Sequence, residues 1–243
     1  MLTSRQNSLI KEVRGLSDKR NRDKLGLYTA EGVKLVNDAI LYGAKVKKVF
    51  CTNKAMPQIT AGDYEMIEVS DSVFKSLSGE VSPQGALAVI EKPSVNFTLS
   101  KNSCVLLDGV SDPSNVGAIV RTAAALGYSD ILLTEDCADP FGSKSVRASM
   151  GGVFRVNFFV SDRATLANSV TLPIIVADMD GKDVYNLNID TNFCLVIGNE
   201  GKGVSEVIRK KATHTVSISM ENNMESLNAS VSAGILMYFL KSH

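Results

Sequence analysis

Three closely spaced glycines, Gly198, Gly201 and Gly203, form a candidate ligand loop. They follow the apolar run 193–197, which is typical of a buried strand. Glycine permits positive φ and lets a ligand approach the main chain closely. This loop therefore predicts a site that binds through backbone amides and carbonyls. A turn without a ligand is the alternative that spacing leaves open.

A second candidate lies near the carboxyl terminus, where polar residues precede the apolar residues 235–240. Because serine is a good N-cap, the pattern predicts a helix that begins at about Ser226. The first amides of a helix lack partners within it, so they can face a ligand. An ordinary capped helix is the alternative. The small residues Ala229, Ala233 and Gly234 would let another segment come close.

The third candidate is the segment 106–124, which predicts a strand, a loop and a helix. Asn115 lies near the expected helix start, where it could cap the helix or hold the motif. Arg121 follows six residues later, and its apolar neighbours make it an unusual surface arginine. A guanidinium stays protonated, which argues against a role as a base.

Several other chemistries find no support in the sequence. It contains no G-x-G-x-x-G, no Walker A motif, no G-x-S-x-G and no H-E-x-x-H. With two histidines and four isolated cysteines, we expect no metal. Cysteines in this arrangement indicate a reduced, cytoplasmic protein. The sequence contains no run of eighteen apolar residues, so it predicts no membrane span.

Together, the segments 106–124, 195–205 and 220–234 resemble the three motifs of the SpoU (TrmH-type) RNA 2′-O-ribose methyltransferases. The resemblance covers about residues 103–240. It implies an α/β fold with a mostly parallel sheet and a trefoil-knotted SPOUT-type catalytic domain. It also implies S-adenosylmethionine as cofactor and a homodimer formed through the carboxyl-terminal domain.

The resemblance assigns roles to ten residues of this sequence. The residues expected at the reacting centre are Arg121, Asn115, Glu200, Ser226 and Asn228. The residues expected to contact the cofactor, largely through their backbone, are Gly198, Ile218, Met220, Leu227 and Gly203.

Within this assignment, Arg121 is expected to bind a phosphate next to the target ribose and to stabilise the developing alkoxide. Glu200 would orient Arg121 or another donor, unless it caps the helix expected from Val204. Asn228 would hydrogen-bond to Asn115 or within the knot. Arg147 lies in a further family-like stretch and is expected to contact RNA.

The sequence departs from the family pattern at three positions. Ser219, Asn222 and Ala229 stand where the family usually has Pro, Gly and Val. Asn tolerates positive φ, so a left-handed turn at Asn222 is compatible with the sequence. These changes bear on the shape of the cofactor loop.

Charge and periodicity organise the rest of the chain. Residues 1–50 hold eleven Lys and Arg against five Asp and Glu, a balance of +6 in a chain of net charge zero. Such asymmetry suggests that the basic end meets a polyanion, although a solvated helix face gives the same pattern. Residues 1–92 predict a smaller α/β unit that resembles the L30e-like RNA-binding domain, and 92–102 predicts a linker.

Residues 103–243 alternate apolar strands and helices, which predicts a mostly parallel sheet covered on both faces. The combined interpretation is a SAM-dependent 2′-O-methyltransferase that acts on structured RNA, with rRNA favoured over tRNA by family analogy. Two alternatives stay open at this point. One is a non-catalytic rRNA-binding module, and the other is an RNA base methyltransferase on the same knotted fold.

Overall fold

The computed structural model describes residues 1–94, 99, 101–189, 191–221 and 226–242, leaving out the side chain of Ser242. Residue contacts divide the chain into two compact units. The first unit contains Met1–Ser94 and Asp139–Phe154, and the second contains Val95–Ala138 and Arg155–His243. Part of the predicted linker, 95–98 and 100, lies outside the described residues.

The first unit is a small α/β layer built on a four-stranded sheet of order β1-β4-β2-β3. Strand β4 is antiparallel to β1 and β2, and β2 is parallel to β3. The elements are α1 (Ser8–Gly15), α2 (Lys19–Leu25), β1 (Leu27–Glu31), α3 (Val33–Leu41), β2 (Val46–Cys51), a 3₁₀ turn (Met56–Gln58), β3 (Glu65–Glu68), α4 (Asp71–Leu77) and β4 (Ala86–Glu91).

Apolar side chains at helical spacing fix the packing of this unit. Ile10 and Val13 on α1 enter a buried cluster with Phe50 of β2 and Phe74 of α4. The sequence pattern predicts one helix over 4–19, whereas the structure has two helices with a break after Gly15. The break follows from capping, because Asp18 accepts a hydrogen bond from the Arg20 amide at 2.7 Å and starts α2.

The second unit carries a six-stranded, fully parallel sheet of order β10-β8-β9-β5-β6-β7. The elements from residue 104 onward are β5 (Cys104–Asp108), α5 (Pro113–Ala125), β6 (Asp130–Thr134), α6 (Ser143–Ala148), a 3₁₀ turn (Gly152–Phe154), β7 (Asn157–Ser161), α7 (Arg163–Ser169), β8 (Ile174–Asp183), a 3₁₀ turn (Val184–Asn186), β9 (Cys194–Gly198), α8 (Glu206–Arg209), β10 (His214–Ser217) and α9 (Ala229–Ser242).

The segment Asp139–Phe154, which includes α6, packs in the first unit although it lies between β6 and β7 in sequence. Arg22 Nη2 is 2.7 Å from Asp139 Oδ2, and the ring centroids of Tyr28 and Phe141 are 4.9 Å apart. A predicted helix over 144–153 ends early, at Ala148. It ends there because the next residues turn to positive φ, +48° at Met150 and +89° at Gly151.

Strand order in the second unit changes direction at β5. The chain runs outward from β5 through β6 to β7, then continues on the other side, where β9 pairs with β5. The carboxyl ends of β5 and β9 therefore frame the switch point at which open parallel sheets bind ligands. This topology confirms the predicted mostly parallel α/β sheet, and the trefoil knot stays a prediction.

Candidate functional site

The site is built where β5 and β9 end side by side. Asp108, the last residue of β5, is in register with Gly198, the last residue of β9. Each strand then leads into one of the candidate loops, so the first and second motifs meet because their strands pair. Within the described residues, no three His, Cys, Asp or Glu side chains form a group that could hold a metal ion.

The loop after β9 is held in shape by Asn199. The Asn199 and Gly203 backbones exchange hydrogen bonds of 3.1 and 2.9 Å, and Asn199 Oδ1 accepts from the amides of Gly201 and Lys202, both at 3.0 Å. Asn199 Nδ2 also donates to the Gly109 carbonyl at 2.7 Å, which ties this loop to the end of β5. One side chain thus sets the loop and its distance from the first motif.

Two glycines in this loop are sterically required. A Cβ on Gly198 would lie 2.4 Å from the carbonyl carbon of Gly203, closer than any side chain can approach main chain. Gly203 has φ of +67°, in the left-handed region that favours glycine. In contrast, a Cβ on Gly201 would meet only Asn199 Oδ1, at 3.8 Å.

Three of the predicted site residues form one hydrogen-bonded chain. Asn115 Nδ2 donates to Glu200 Oε1 at 2.9 Å, and Asn228 Nδ2 donates to Asn115 Oδ1 at 3.0 Å. The Ser111 amide and hydroxyl both donate to Glu200 Oε2, at 3.4 and 3.2 Å. The chain joins all three sequence motifs through side chains.

The direction of this chain follows from elementary donor and acceptor rules. An ionised carboxylate only accepts, so the amide nitrogen of Asn115 must face Glu200. The Asn115 oxygen therefore faces Asn228, whose own oxygen accepts from the Ser230 amide at 2.9 Å. The amide orientations are thus determined from one end of the chain to the other.

Glu200 is a hydrogen-bond acceptor rather than a proton-transfer group. Partial burial pushes its pKa up, but the hydrogen bond from Asn115 and backbone interactions, including one with Ser111, hold the pKa of Glu200 below its ordinary value. Its hydrogen bonds place this carboxylate against Asn115 and Ser111. It does not cap α8, whose N-cap is Ser205.

The last helix starts later than the sequence pattern predicts. It begins at Ala229, and Asn228 provides the cap, so the expected start at Ser226 is wrong. Asn is as good an N-cap as Ser, and the bond to Asn115 fixes its position. Ser226 is exposed and precedes the helix. The expected turn at Asn222 lies outside the described residues.

Asn115 does not cap its helix either. Asp112 is the N-cap of α5 and accepts from the Ser114 amide at 2.7 Å, with Pro113 at the first helical position. Asn115 lies inside the helix, 7% exposed, with its side chain committed to Glu200 and Asn228. The sequence left open whether Asn115 caps the helix or holds the motif together, and in the structure it holds the motif together.

The predicted cofactor contacts after β10 present unused main chain. Ile218, Met220 and Leu227 are half-buried, and their backbone N–H and C=O groups take no part in the hydrogen bonds that the described chain forms outside its helices and strands. Between them, the Ser219 hydroxyl donates to Asp183 at the end of β8. Half-buried polar main chain without partners is suited to a ligand that completes its hydrogen bonds.

Arg121 lies on α5 but is not part of the polar chain. Its side chain is exposed, so the apolar neighbours that make a surface position unusual in the sequence do not bury it. It forms no hydrogen bond or ion pair with any residue that the structure describes. The apolar neighbours in sequence, such as Ile119 and Val120, face the core, while residue 121 points to the other side of the helix.

An ion network centred on one buried carboxylate lies beneath the site and was not expected from the sequence. Asp108, 1% exposed, accepts from Arg163 Nε and from the Ser205 amide, both at 2.7 Å. Arg163 Nη2 also donates to Asp136 Oδ2 at 2.6 Å. Asp108 thereby anchors the residue that ends the glycine loop, and only the position of an Asp at a strand end hinted at this.

Comparison with known proteins identifies the family. Residues 102–238, more than half of the chain, match the model of the SpoU rRNA Methylase family. The chain belongs to the SpoU family. Residues 7–88 match the MRM3-like substrate binding domain. The resemblance inferred from the three motifs is thus confirmed.

SpoU relatives align with this chain over almost its full length. A 23S rRNA (guanosine(2553)-2′-O)-methyltransferase, RlmP, of Bacillus subtilis (strain 168) is 26% identical over 99% of this chain and 98% of its own. The structure of an AdoMet-bound rRNA methyltransferase from Sinorhizobium meliloti has a TM-score of 0.90 at 27% identity, covering 100% and 97% of the two chains.

A third relative is the SpoU methyltransferase AviRb from Streptomyces viridochromogenes, solved in complex with the cofactor AdoMet. Its TM-score is 0.87 at 25% identity, and 98% of each chain is covered. Two solved relatives that cover almost the whole of this chain thus carry the same cofactor.

The Asp108 network predicts a specific loss of stability for Arg163→Met. The change leaves the Asp108 carboxylate buried without its cation, which we expect to cost about 1–3 kcal/mol because the arginine is partly exposed. The matched control is Arg209→Met. That arginine is equally exposed (36% against 35%), but its partner Asp178 is 17% exposed rather than 1%. Urea unfolding midpoints should fall further for Arg163→Met, and equal losses would contradict the anchoring role.

Proposed function

We propose that this chain transfers a methyl group from S-adenosylmethionine to a ribose 2′-hydroxyl of rRNA. The observation that carries the proposal is the hydrogen-bonded chain Asn228–Asn115–Glu200, set beside a glycine loop. It joins the three motifs of a family whose relatives of similar length include an rRNA 2′-O-methyltransferase. A binding module would not require this chain of fixed donors and acceptors.

The residues present fit S-adenosylmethionine. The glycine loop offers close approach at Gly198 and Gly203, and the main chain of Ile218, Met220 and Leu227 offers unpaired donors and acceptors for an adenine edge. We therefore assign these five residues to the cofactor. When bound, S-adenosylmethionine would supply a sulfonium methyl group to the ribose oxygen and leave as the neutral thioether S-adenosylhomocysteine, with the hydroxyl proton passing to water or an adjacent phosphate.

The protein's contribution is positional. Methyl transfer requires the acceptor oxygen to be held in line, and alignment of this kind can supply several kcal/mol of barrier reduction. Glu200 and Asn228 fix Asn115, which gives the site a rigid polar wall. Ser226 is exposed and precedes Asn228 by two residues in the sequence, and we assign it to substrate contact.

Arg121 is assigned to the substrate phosphate. A guanidinium that is exposed and uncommitted within the described chain can form a bidentate pair with a phosphate next to the reacting ribose. Its fixed positive charge also stabilises the alkoxide that develops during transfer.

The two domains have different roles in this proposal. Residues 1–92 hold structured RNA, and residues 103–243 form the catalytic domain with a trefoil knot, in keeping with the matches over 7–88 and 102–238.

The protein acts in the cytoplasm, which agrees with four free, buried cysteines. No helix in the described part of the chain is long and apolar enough to cross a membrane.

Transfer of labelled methyl from S-adenosylmethionine to ribosomal RNA tests the function. After complete nuclease digestion, the label should remain in a nucleoside methylated on ribose. Label on a base would identify a base methyltransferase instead. RNA binding with no transfer to any rRNA, with ribosomal subunits included as substrates, would identify a non-catalytic module.

The glycine loop gives a prediction for cofactor affinity. Gly198→Ala places a Cβ against Gly203 and displaces the loop, so S-adenosylmethionine should bind at least about tenfold more weakly, or roughly 1.4 kcal/mol. Gly201→Ala, where a Cβ meets no main chain, is the matched control and should bind normally. Isothermal titration calorimetry measures the S-adenosylmethionine affinity of both variants. Equal affinities would show that the loop does not contact the cofactor.

Arg121 gives a prediction for turnover. Arg121→Lys keeps the charge but loses the bidentate fork, so kcat should fall by about a hundredfold with cofactor affinity unchanged. Single-turnover rates measured across a pH series provide the readout. Near-normal rates with an unchanged pH profile would rule out a bidentate phosphate contact.

We further propose that the protein is a homodimer formed through α9. Val231 and Ile235 are 49% and 41% exposed and lie one turn apart, with the exposed Tyr238 three residues further along. They form a continuous apolar stripe of the kind that self-complementary helix interfaces bury.

The dimer proposal predicts that Ile235→Asp produces a monomer. A charge placed in a buried two-fold interface occurs twice, so its desolvation cost is doubled. Val207→Asp, at a 46% exposed apolar position on α8, is the control and should leave the dimer intact. Sedimentation velocity distinguishes the states, and a monomeric unmodified protein would disprove this interface.

A further inference from the structure

The first unit contains a polar cleft of about 520 Å³ between α1, the end of α4 and α6. Four cationic side chains line it. Lys11 and Arg14 come from α1, whereas Lys144 and Arg147 come from α6. The cleft is thus assembled from two parts of the chain that are separated by about 130 residues in sequence.

Most of this positive charge is uncompensated. Lys11, Arg14 and Lys144 are exposed and form no ion pair within the described ranges of the chain. Glu31, the acidic residue of the cleft wall, is already occupied, since it accepts from the Ser78 hydroxyl and, at 3.0 Å, from the Gly79 amide. These bonds hold Glu31 at the 78–79 turn, and its single negative charge leaves the four cations of the wall in excess.

Arg147 is the exception among the four cations. It forms an ion pair with Glu80, whose side chain is 35% exposed and is not part of the cleft wall. An exposed pair of this kind is worth little, and a stronger anion can displace it. Glu80 therefore acts as a competitor for any anionic ligand of Arg147.

The neutral lining also suits phosphate oxygens. Thr29 and Ser143 add hydroxyl groups to the lining, whereas the hydroxyls of Ser17, Ser76 and Ser78 already donate to acceptors within the chain. Hydroxyls and cations together are the groups that contact nucleic-acid backbones. The apolar members of this wall are Val13, Leu77 and Leu87, and the polar and charged residues outnumber them.

We propose that this cleft binds consecutive backbone phosphates of the RNA substrate, and that α6 supplies half of its charge. The proposal rests on the proposed function for the identity of the RNA. It adds that the RNA-binding surface of the first unit includes Lys144 and Arg147, which lie within the stretch of sequence matched to the methylase family. The match to the substrate binding domain, 7–88, covers only the α1 side.

The test removes the α6 charges in the full-length protein. Lys144→Ala/Arg147→Ala should weaken binding to a structured rRNA fragment about tenfold at 0.1 M salt. The slope of log affinity against log salt should become shallower by about 1 for each phosphate that the variant no longer neutralises, or about 2 in total. Fluorescence anisotropy over a salt series gives both quantities.

Lys24→Ala/Lys54→Ala is the matched control. Both lysines are exposed in the first unit and lie outside the cleft, so the net charge change is the same. This control should change affinity and slope much less. Equal effects of the two double variants would show general charge attraction and would overturn a defined cleft.

A second test looks for a gain of affinity for RNA. Glu80→Gln removes the carboxylate that competes for Arg147, so RNA should bind several-fold more tightly, and the gain should vanish in an Arg147→Ala background. Unchanged or weaker binding by Glu80→Gln, in a protein with a normal unfolding midpoint, would contradict the proposal.

Failure of the cleft is distinguishable from failure of the function. If the cleft is wrong, unmodified protein methylates rRNA and the α6 double variant does so with an unchanged KM for RNA. If the function is wrong, unmodified protein transfers no methyl group to any rRNA, whatever the cleft variants do. Calorimetric affinity for S-adenosylmethionine should be unchanged in every cleft variant.

Discussion

The parallel pairing of β5 with β9 is the constraint on which the site depends. It places Asp108 in register with Gly198, so two loops that are about 90 residues apart in sequence leave the sheet at the same edge. The buried Asp108 carboxylate then holds Arg163 and the Ser205 amide, which closes the glycine loop at its far end. Because the core strands are fully buried, a slip in their register would expose apolar side chains and is strongly disfavoured.

A directed chain of amides transfers this order to the third motif. Glu200 accepts a hydrogen bond from Asn115, and Asn115 accepts one from Asn228, which caps the last helix. The start of α9 is therefore fixed by a contact with α5. Asn115, the middle member, is buried with both ends of its side-chain amide paired, whereas Glu200 and Asn228 are exposed. The same chain explains how a site can be preorganised with few ionisable groups, as methyl transfer by alignment requires.

Local signals were sufficient for much of the fold. The apolar pattern predicts β2 (Val46–Cys51) and α4 (Asp71–Leu77) with the observed bounds. The sequence pattern does not predict helix α2 because its residues carry no apolar stripe, and Arg22 is buried through a pair with Asp139, a contact across 117 residues. For the site, the motifs brought Asn115, Glu200 and Asn228 together, but the helix start at Ala229 depends on a tertiary hydrogen bond that no local preference for Ser or Asn reveals.

Main chain from three separate segments is proposed to bind the adenosyl group beside Asn115. The decisive experiment is a crystal structure of this protein with S-adenosylmethionine, or with the demethylated product S-adenosylhomocysteine. We expect backbone groups of Ile218, Met220 and Leu227 to hydrogen-bond to the adenine edge, and the ligand to lie against Gly198 and Gly203. Adenosine bound elsewhere, with the main chain of these residues left unpaired, would contradict it.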